Sequence, residues 1–235
     1  MLAIDVWTAR ADGRGTRNLT RLGGASSPAW SPDGRSLAFA TGSGIWVVRR
    51  DGSSRRRIAR RFDPTTPAWS PDGKRIAFTA PGEVWIVGAN GSGRRLLARG
   101  ASSDTHAVWS PDGRWIAYGA TGVYVVSAAG GRPRLLSRRD DEARWSPDGR
   151  RVALVRSGTP REAGIFLAAP DGRGRTRLTR GLDSQPSWSP DGRAIAFRRG
   201  LLVGEIYVVN VDGSGLRNLT RTSQLDERSP AWRPR

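Results

Sequence analysis

Apolar positions along the chain come in short alternating runs, and the runs return. Leu37/Phe39, Ile76/Phe78, Ile116/Tyr118, Val152/Leu154 and Ile195/Phe197 each put two large apolar side chains on one face of a strand. Each pair begins seven residues after a tryptophan, namely Trp30, Trp69, Trp109, Trp145 and Trp188. Between tryptophan and pair stands Ser-Pro-Asp-Gly in every copy. Pro presets φ for the first turn position, Asp bonds its own backbone and Gly accepts positive φ, so this tetrapeptide reverses the chain. Asp33, Asp72, Asp112, Asp148 and Asp191 are accordingly turn formers. A more continuous apolar run follows: Ile45-Trp46-Val47-Val48, Val84-Trp85-Ile86-Val87, Val123-Tyr124-Val125-Val126, Ile165-Phe166-Leu167 and Ile206-Tyr207-Val208-Val209. A turn such as Asp51-Gly52 then leads into a fourth run, as in Arg56-Arg57-Ile58-Ala59. The unit is four short antiparallel strands, a to d, with a large aromatic at the base of the first hairpin.

Trp30, Trp69, Trp109, Trp145, Trp188 and a last copy, Trp232, are 39, 40, 36, 43 and 44 residues apart. That period suits one four-stranded propeller blade per repeat. Full repeats are expected over 23–61, 62–100, 101–139, 140–180 and 181–222. Residues 1–22 align with the end of a repeat: Asp5-Val6-Trp7 through Asn18-Leu19-Thr20 matches Glu205-Ile206-Tyr207 through Asn218-Leu219-Thr220 without a gap. They supply strands c and d, and residues 223–235 supply strand a. The expectation is one all-β domain over 1–235, a six-bladed β-propeller of four-stranded antiparallel blades. Its closing blade joins the two ends of the chain and lacks strand b, which leaves either a three-stranded closing blade or a sequence that begins one strand late. The six repeat tryptophans and the strand-c aromatics belong to the core between blades.

The recurring Trp-Ser-Pro-Asp-Gly-(Arg/Lys)-x-(Ile/Leu)-Ala-(Phe/Tyr), the Ile-(Trp/Tyr)-Val-Val strand and the Asp-Gly-x-Gly-x-x-x-Leu-Thr turn resemble the WD40-like, or PD40, repeats of TolB-type six-bladed β-propellers. The resemblance covers essentially the whole chain. The repeat 140–180 departs from the pattern, with Arg144 before its tryptophan and Leu154 where other copies have an aromatic. TolB carries an α/β domain ahead of its propeller that has no counterpart here. The resemblance implies a non-enzymatic protein- or peptide-binding scaffold in a bacterial, periplasmic or extracytoplasmic setting. It also implies two alternatives: an accessory propeller of a hydrolase or peptidase system, and a sugar-active propeller.

Composition narrows the chemistry. There is no cysteine, so no disulfide, thiol nucleophile or cysteine-held zinc is available. No apolar run is long enough to span a membrane, and Met1-Leu2-Ala3-Ile4 leads into strand-like sequence without the basic segment of a signal peptide. The net charge is +18, with Lys74 the single lysine. The arginines recur with the repeat and are not gathered in one tract. The favoured reading is therefore a composition biased toward arginine on solvated strand edges, and binding of nucleic acid or another anionic polymer along an arginine-rich rim is the lesser one. The protein is expected to be monomeric.

Strand alternation sends the Ser-Pro-Asp-Gly and Asp-Gly turns to one face and every variable loop to the other, among them Arg156–Gly164 and Arg198–Gly204. Function concentrates in variable loops on a rigid scaffold. On that face Asp63, Asp104, Asp140, Asp183 and Asp226 precede their tryptophans by five or six residues. Together with His106, Glu142 and Gln185 they form the candidate ligand set, an acidic mouth suited to a cationic group, a basic peptide or a hard cation such as calcium. The competing reading has each aspartate capping its loop or pairing with an arginine of a neighbouring blade. No catalytic residue and no dedicated metal site is assigned. His106 is the one histidine, no Gly-x-Ser-x-Gly elbow is present, and no cofactor is implied.

Overall fold

The computed structural model describes residues 5–9, 14–60, 63–102, 106–221, 226–227, 230 and 232. Every regular element among them is a β-strand. β1 (Trp7–Thr8) and β2 (Arg17–Asn18) pair antiparallel. Five four-stranded sheets follow. The first holds β3 (Ser26–Trp30), β4 (Ser36–Thr41), β5 (Gly44–Arg49) and β6 (Arg56–Arg60). The second holds β7 (Thr65–Trp69), β8 (Arg75–Ala80), β9 (Gly82–Gly88) and β10 (Arg95–Ala101). The third holds β11 (Val108–Trp109), β12 (Trp115–Gly119), β13 (Val123–Ser127) and β14 (Arg134–Ser137). The fourth holds β15 (Glu142–Trp145), β16 (Val152–Arg156), β17 (Gly164–Ala168) and β18 (Thr176–Arg177). The fifth holds β19 (Asp183–Trp188), β20 (Ala194–Arg199), β21 (Glu205–Asn210) and β22 (Arg217–Asn218). Each sheet is a meander of sequential neighbours, the blade topology of an all-β six-bladed propeller. The pairing expected of 223–235 with the N-terminal strands lies outside the described residues. Among the described residues no helix is long and apolar enough to cross a membrane.

The chain divides into two compact units. One comprises Met1–Trp109, Gly113–Ile116 and Val126–Pro133; the other comprises Ser110–Asp112, Ala117–Val125 and Arg134–Arg235. In the first unit Leu37, Phe39 and Val48 pack with Val6, Leu19 and Ala25. There too, Ile45, Val47 and Ile58 pack with Ile76, Phe78 and Val87. In the second, Ile165 and Leu167 pack with Trp188, Ile195, Phe197 and Val209. Phe39, Phe78 and Phe197 are fully buried, and each such side chain contributes about 1.5–3 kcal/mol.

The repeat motif builds each blade, and four of its tryptophans tie one blade to the one before, whereas the buried Trp145 Nε1 has no hydrogen-bond partner among the described residues. Within the turn, Ser31 Oγ donates to Asp33 Oδ1 at 2.6 Å, Asp33 accepts the Arg35 amide at 3.1 Å, and Gly34 N–H closes on Ser31 O at 2.8 Å. Gly34 has φ of +65°, which only glycine adopts freely. The tryptophan reaches across to the preceding blade. Trp69 Nε1 donates to Ala29 O and Trp109 Nε1 to Ala68 O, both at 3.0 Å, in the first unit. Trp188 Nε1 donates to Arg144 O at 3.0 Å and Trp232 Nε1 to Ser187 O at 2.9 Å in the second. In each case the acceptor is the residue just before the preceding tryptophan. Trp30 departs from the core expectation and is 48% exposed.

In three of the described sheets a bulge enters strand a where proline stands two residues before the tryptophan. Ser27, Thr66 and Gln185 precede Pro28, Pro67 and Pro186 and have φ of 51°, 30° and 54°. The strand registers shift there, between Ser26 and Ala29, Thr65 and Ala68, and Ser184 and Ser187. Proline cannot donate to the ladder, and the extra residue absorbs the gap. In β15 alanine takes the proline position, and Glu142 to Trp145 keep unbroken register with Val155 to Val152.

Candidate functional site in the second unit

The loops at one end of the sheets in the second unit are fixed by arginine–carboxylate pairs. Asp140 is fully buried. Arg175 Nη2 donates to its Oδ1 at 2.7 Å, while Ser137 Oγ donates to Oδ2 at 2.5 Å. Arg156, at the end of β16, adds Nε to Oδ1 at 3.2 Å. The two guanidiniums lie over the Phe166 ring at 4.0 Å (Arg175) and 4.6 Å (Arg156), and Arg177 joins them at 5.5 Å. Three cations around one aromatic require a counter-charge, and the Asp140 carboxylate supplies it.

Asp183, in β19, is also buried and makes a two-point contact with Arg199, Nε to Oδ1 at 2.7 Å and Nη2 to Oδ2 at 2.9 Å. The Asp183 carboxylate holds the Arg199 guanidinium above its ordinary pKa, although partial burial pulls the other way. Arg199 stacks over Tyr207 at 4.8 Å and Phe197 at 5.3 Å. Asp226 takes Arg198, with Nη2 to Oδ1 at 2.6 Å. Each aspartate therefore meets an arginine at the end of strand b, and Asp140 gains a second from the approach to strand d.

Of the candidate set, the structure brings Glu142 and Gln185 together, the Gln185 amide donating to Glu142 Oε2 at 3.3 Å. Glu142 also pairs with Arg144 at 2.7 Å. Asp140, Asp183 and Asp226 are each engaged by their own arginine. Asp63 and His106 lie in the first unit and are exposed; Asp104 lies outside the described residues. Among the described residues no three acidic or histidine side chains converge in a way that could hold a metal ion.

The same loops enclose a cleft of about 490 Å³, lined by Thr121, Arg138, Arg139, Asp141, Ser157 and Glu162 among others. Its walls are ordered: the Ser157 amide donates to Asp141 Oδ2 at 3.0 Å, and Thr159 Oγ1 donates to Glu162 Oε2 at 3.0 Å. The cleft offers guanidinium donors, hydroxyls and carboxylates side by side. Arg138, Arg139 and Glu162 were not singled out from the sequence. The usable signal was that the loop from Arg156 to Gly164 breaks the repeat.

Arginines of the outer strands are engaged too. Arg55 bonds Thr20 O, Arg94 Nη1 donates to Arg60 O at 2.9 Å, and Arg175 Nη1 donates to Ser137 Oγ at 3.0 Å, each reaching back to the preceding strand d. The next position reaches forward to the following turn: Arg56 to Ala89 O at 3.0 Å, Arg95 to Ala128 O, and Arg134 to Pro170 O at 2.9 Å.

These repeats place the chain in a known family. Residues 11–235 match the PD40 family, the TolB beta propeller domain, and the chain belongs to it. The chain is similar to TolB from Acinetobacter baumannii, at 24% identity and TM-score 0.73, covering 98% of this chain and 63% of that one. It thus spans less than two thirds of that protein's length. It is also similar to the oligogalacturonate lyase of Vibrio parahaemolyticus, at 13% identity and TM-score 0.73, covering 92% of this chain and 70% of the lyase. A chain of the nidogen/laminin complex gives 14% identity and TM-score 0.64, covering 89% of this chain and 84% of that one. At these identities the likeness shows the fold. No curated protein matches the chain in sequence.

Proposed function

We propose that the protein is a non-enzymatic binding scaffold that takes a polypeptide segment on the loop-bearing end of the second unit. The observation that carries this reading is how the carboxylates there are used. Asp140, Asp183 and Asp226 are held by arginines, so they stiffen the loops instead of standing ready as acid, base or metal ligand. What the loops then present is the cleft beside them, polar and mixed in charge. A polypeptide offers matching backbone donors and acceptors and charged side chains of both signs. The nidogen/laminin structure is of a protein complex, which accords with a propeller of this class meeting another protein. The engagement of strand-d arginines with carbonyl oxygens speaks against the rim as the main binding surface.

The test is selection from a random peptide library on the immobilised protein, followed by calorimetric titration of enriched peptides. Arg139→Glu combined with Asp141→Arg should weaken binding by about tenfold or more, as expected when charge pairs across an interface become like-charge contacts. Absence of any enriched peptide, or unchanged affinity in the variant, would remove the reading. Release of unsaturated products from oligogalacturonate would move the protein to the sugar-active alternative.

A further inference from the structure

The loop joining β20 to β21 ends in Leu201, Leu202 and Val203, which are 74%, 90% and 47% exposed. Among the described residues no other large apolar side chains are as exposed as these two leucines. The loop is built to hold them outward. Arg198, only 8% exposed, bonds Gly200 O and Leu201 O from inside the turn while Asp226 fixes its guanidinium. Both feet are anchored, Gly200 N–H on Leu182 O at 3.1 Å and Glu227 N–H on Gly204 O at 2.8 Å. The turn has no room to spare. A Cβ on Gly200, at φ of +127°, would lie 2.2 Å from Val203 O, and one on Gly204 would lie 2.3 Å from Arg198 Cζ.

The surroundings are cationic. At the same end of the sheets in this unit Arg138, Arg139, Arg161, Arg180 and Arg221 are exposed, against exposed Asp141, Glu162 and Asp226, the last paired with Arg198, and half-buried Glu205 and Glu227. The remaining aspartates there are engaged by arginines, as described above. A rigid apolar tip within a positive field matches an anionic lipid surface: leucines enter the acyl boundary while arginines face lipid phosphates. A narrow turn is a poor match for a protein groove, since a stable protein interface covers about 800 Å² per partner.

We infer that the 200–204 loop is an interfacial anchor that seats the protein on anionic membranes. The inference does not rest on the polypeptide reading, because vesicle binding is scored without any peptide. The experiment is co-sedimentation with vesicles of phosphatidylcholine and phosphatidylglycerol beside vesicles of phosphatidylcholine alone, using wild type and the Leu201→Ser/Leu202→Ser double variant. Wild type should bind the anionic vesicles and release with rising salt, and the double variant should bind about tenfold more weakly or less. Both leucines face solvent, so the variant should keep the wild-type circular dichroism spectrum. The chain has no cysteine, so Leu202→Cys can carry a single environment-sensitive dye. Its emission should shift to the blue on anionic vesicles. A dye on Ser214→Cys, in the turn at the opposite end of the same sheet, should not shift. The inference is overturned if wild type ignores anionic vesicles, if the double variant binds as well as wild type, or if the dye at 202 stays in water. Leucine-dependent capture of a protein without vesicle binding overturns it as well.

Discussion

Asp140 and Asp63 occupy near-equivalent places in their repeats, yet one is sealed and the other open. Removing the Asp140 carboxylate leaves Arg175 and Arg156 beside Phe166 without their counter-charge. Asp140→Ala should cost about 3–5 kcal/mol in urea unfolding, the usual penalty for breaking a buried pair, whereas exposed Asp63→Asn should stay within about 0.5 kcal/mol. The turn aspartates make a pH argument. The Ser31 hydroxyl, then the Arg35 amide, lower the pKa of Asp33 from 3.8, and serine hydroxyls do the same for Asp72 and Asp148. Folded values below unfolded ones mean stability present above about pH 4 and lost as pH falls through the lowered values. The triple variant Asp33→Asn/Asp72→Asn/Asp148→Asn should therefore show a flatter dependence of Tm on pH in that acid window. Asp5 is held at about 2, chiefly by the Asn18 side chain and then the Leu22 amide. Its carboxyl resonance should titrate near that value by NMR, and closer to 3.8 in Asn18→Ala.

Between elements, the recurring link is a side chain reaching a neighbour's backbone. Trp188→Phe keeps a ring in the core but strands the Arg144 carbonyl, and should cost about 1 kcal/mol in chemical denaturation. Trp188→Ala, which also opens a cavity, should cost about 3–5 kcal/mol. The turns are equally close: a Cβ on Gly172, at φ of +87°, would sit 2.7 Å from Leu136 O on the preceding outer strand. Proline two residues before tryptophan predicts a strand bulge, and β15, without it, runs regular. Each of these links depends on residue types at fixed offsets, yet each became apparent only in the folded sheets.

At the scale of the molecule, a net charge of +18 suggests a polyanion binder, but much of the arginine is used for geometry. Replacing Arg55, Arg56, Arg94, Arg95, Arg134 and Arg175 together by lysine preserves net charge while giving up the planar fork of donors. Thermal denaturation should show a loss of about 0.5–1 kcal/mol at each position, with cation-exchange retention unchanged. If stability holds in this charge-preserving variant, the outer arginines act through charge and not through their fork of donors.

The sequence by itself determined the blade. Trp, Ser-Pro-Asp-Gly and alternating apolar pairs act over a few residues, through turn geometry and a period of two, so they can be read along the chain. It also placed Asp140, Asp183 and Asp226 at one end of their sheets, next to variable loops. Only the tertiary structure decided what those carboxylates do. Their arginine partners lie 16 to 35 residues away along the chain, and nothing in local spacing states which guanidinium will reach which oxygen. The same holds for Leu201 and Leu202. Their apolar character is plain in the sequence, but their exposure follows from Arg198 and Asp226 bracing the turn from within, a contact between strand and loop that exists only once the sheet has formed.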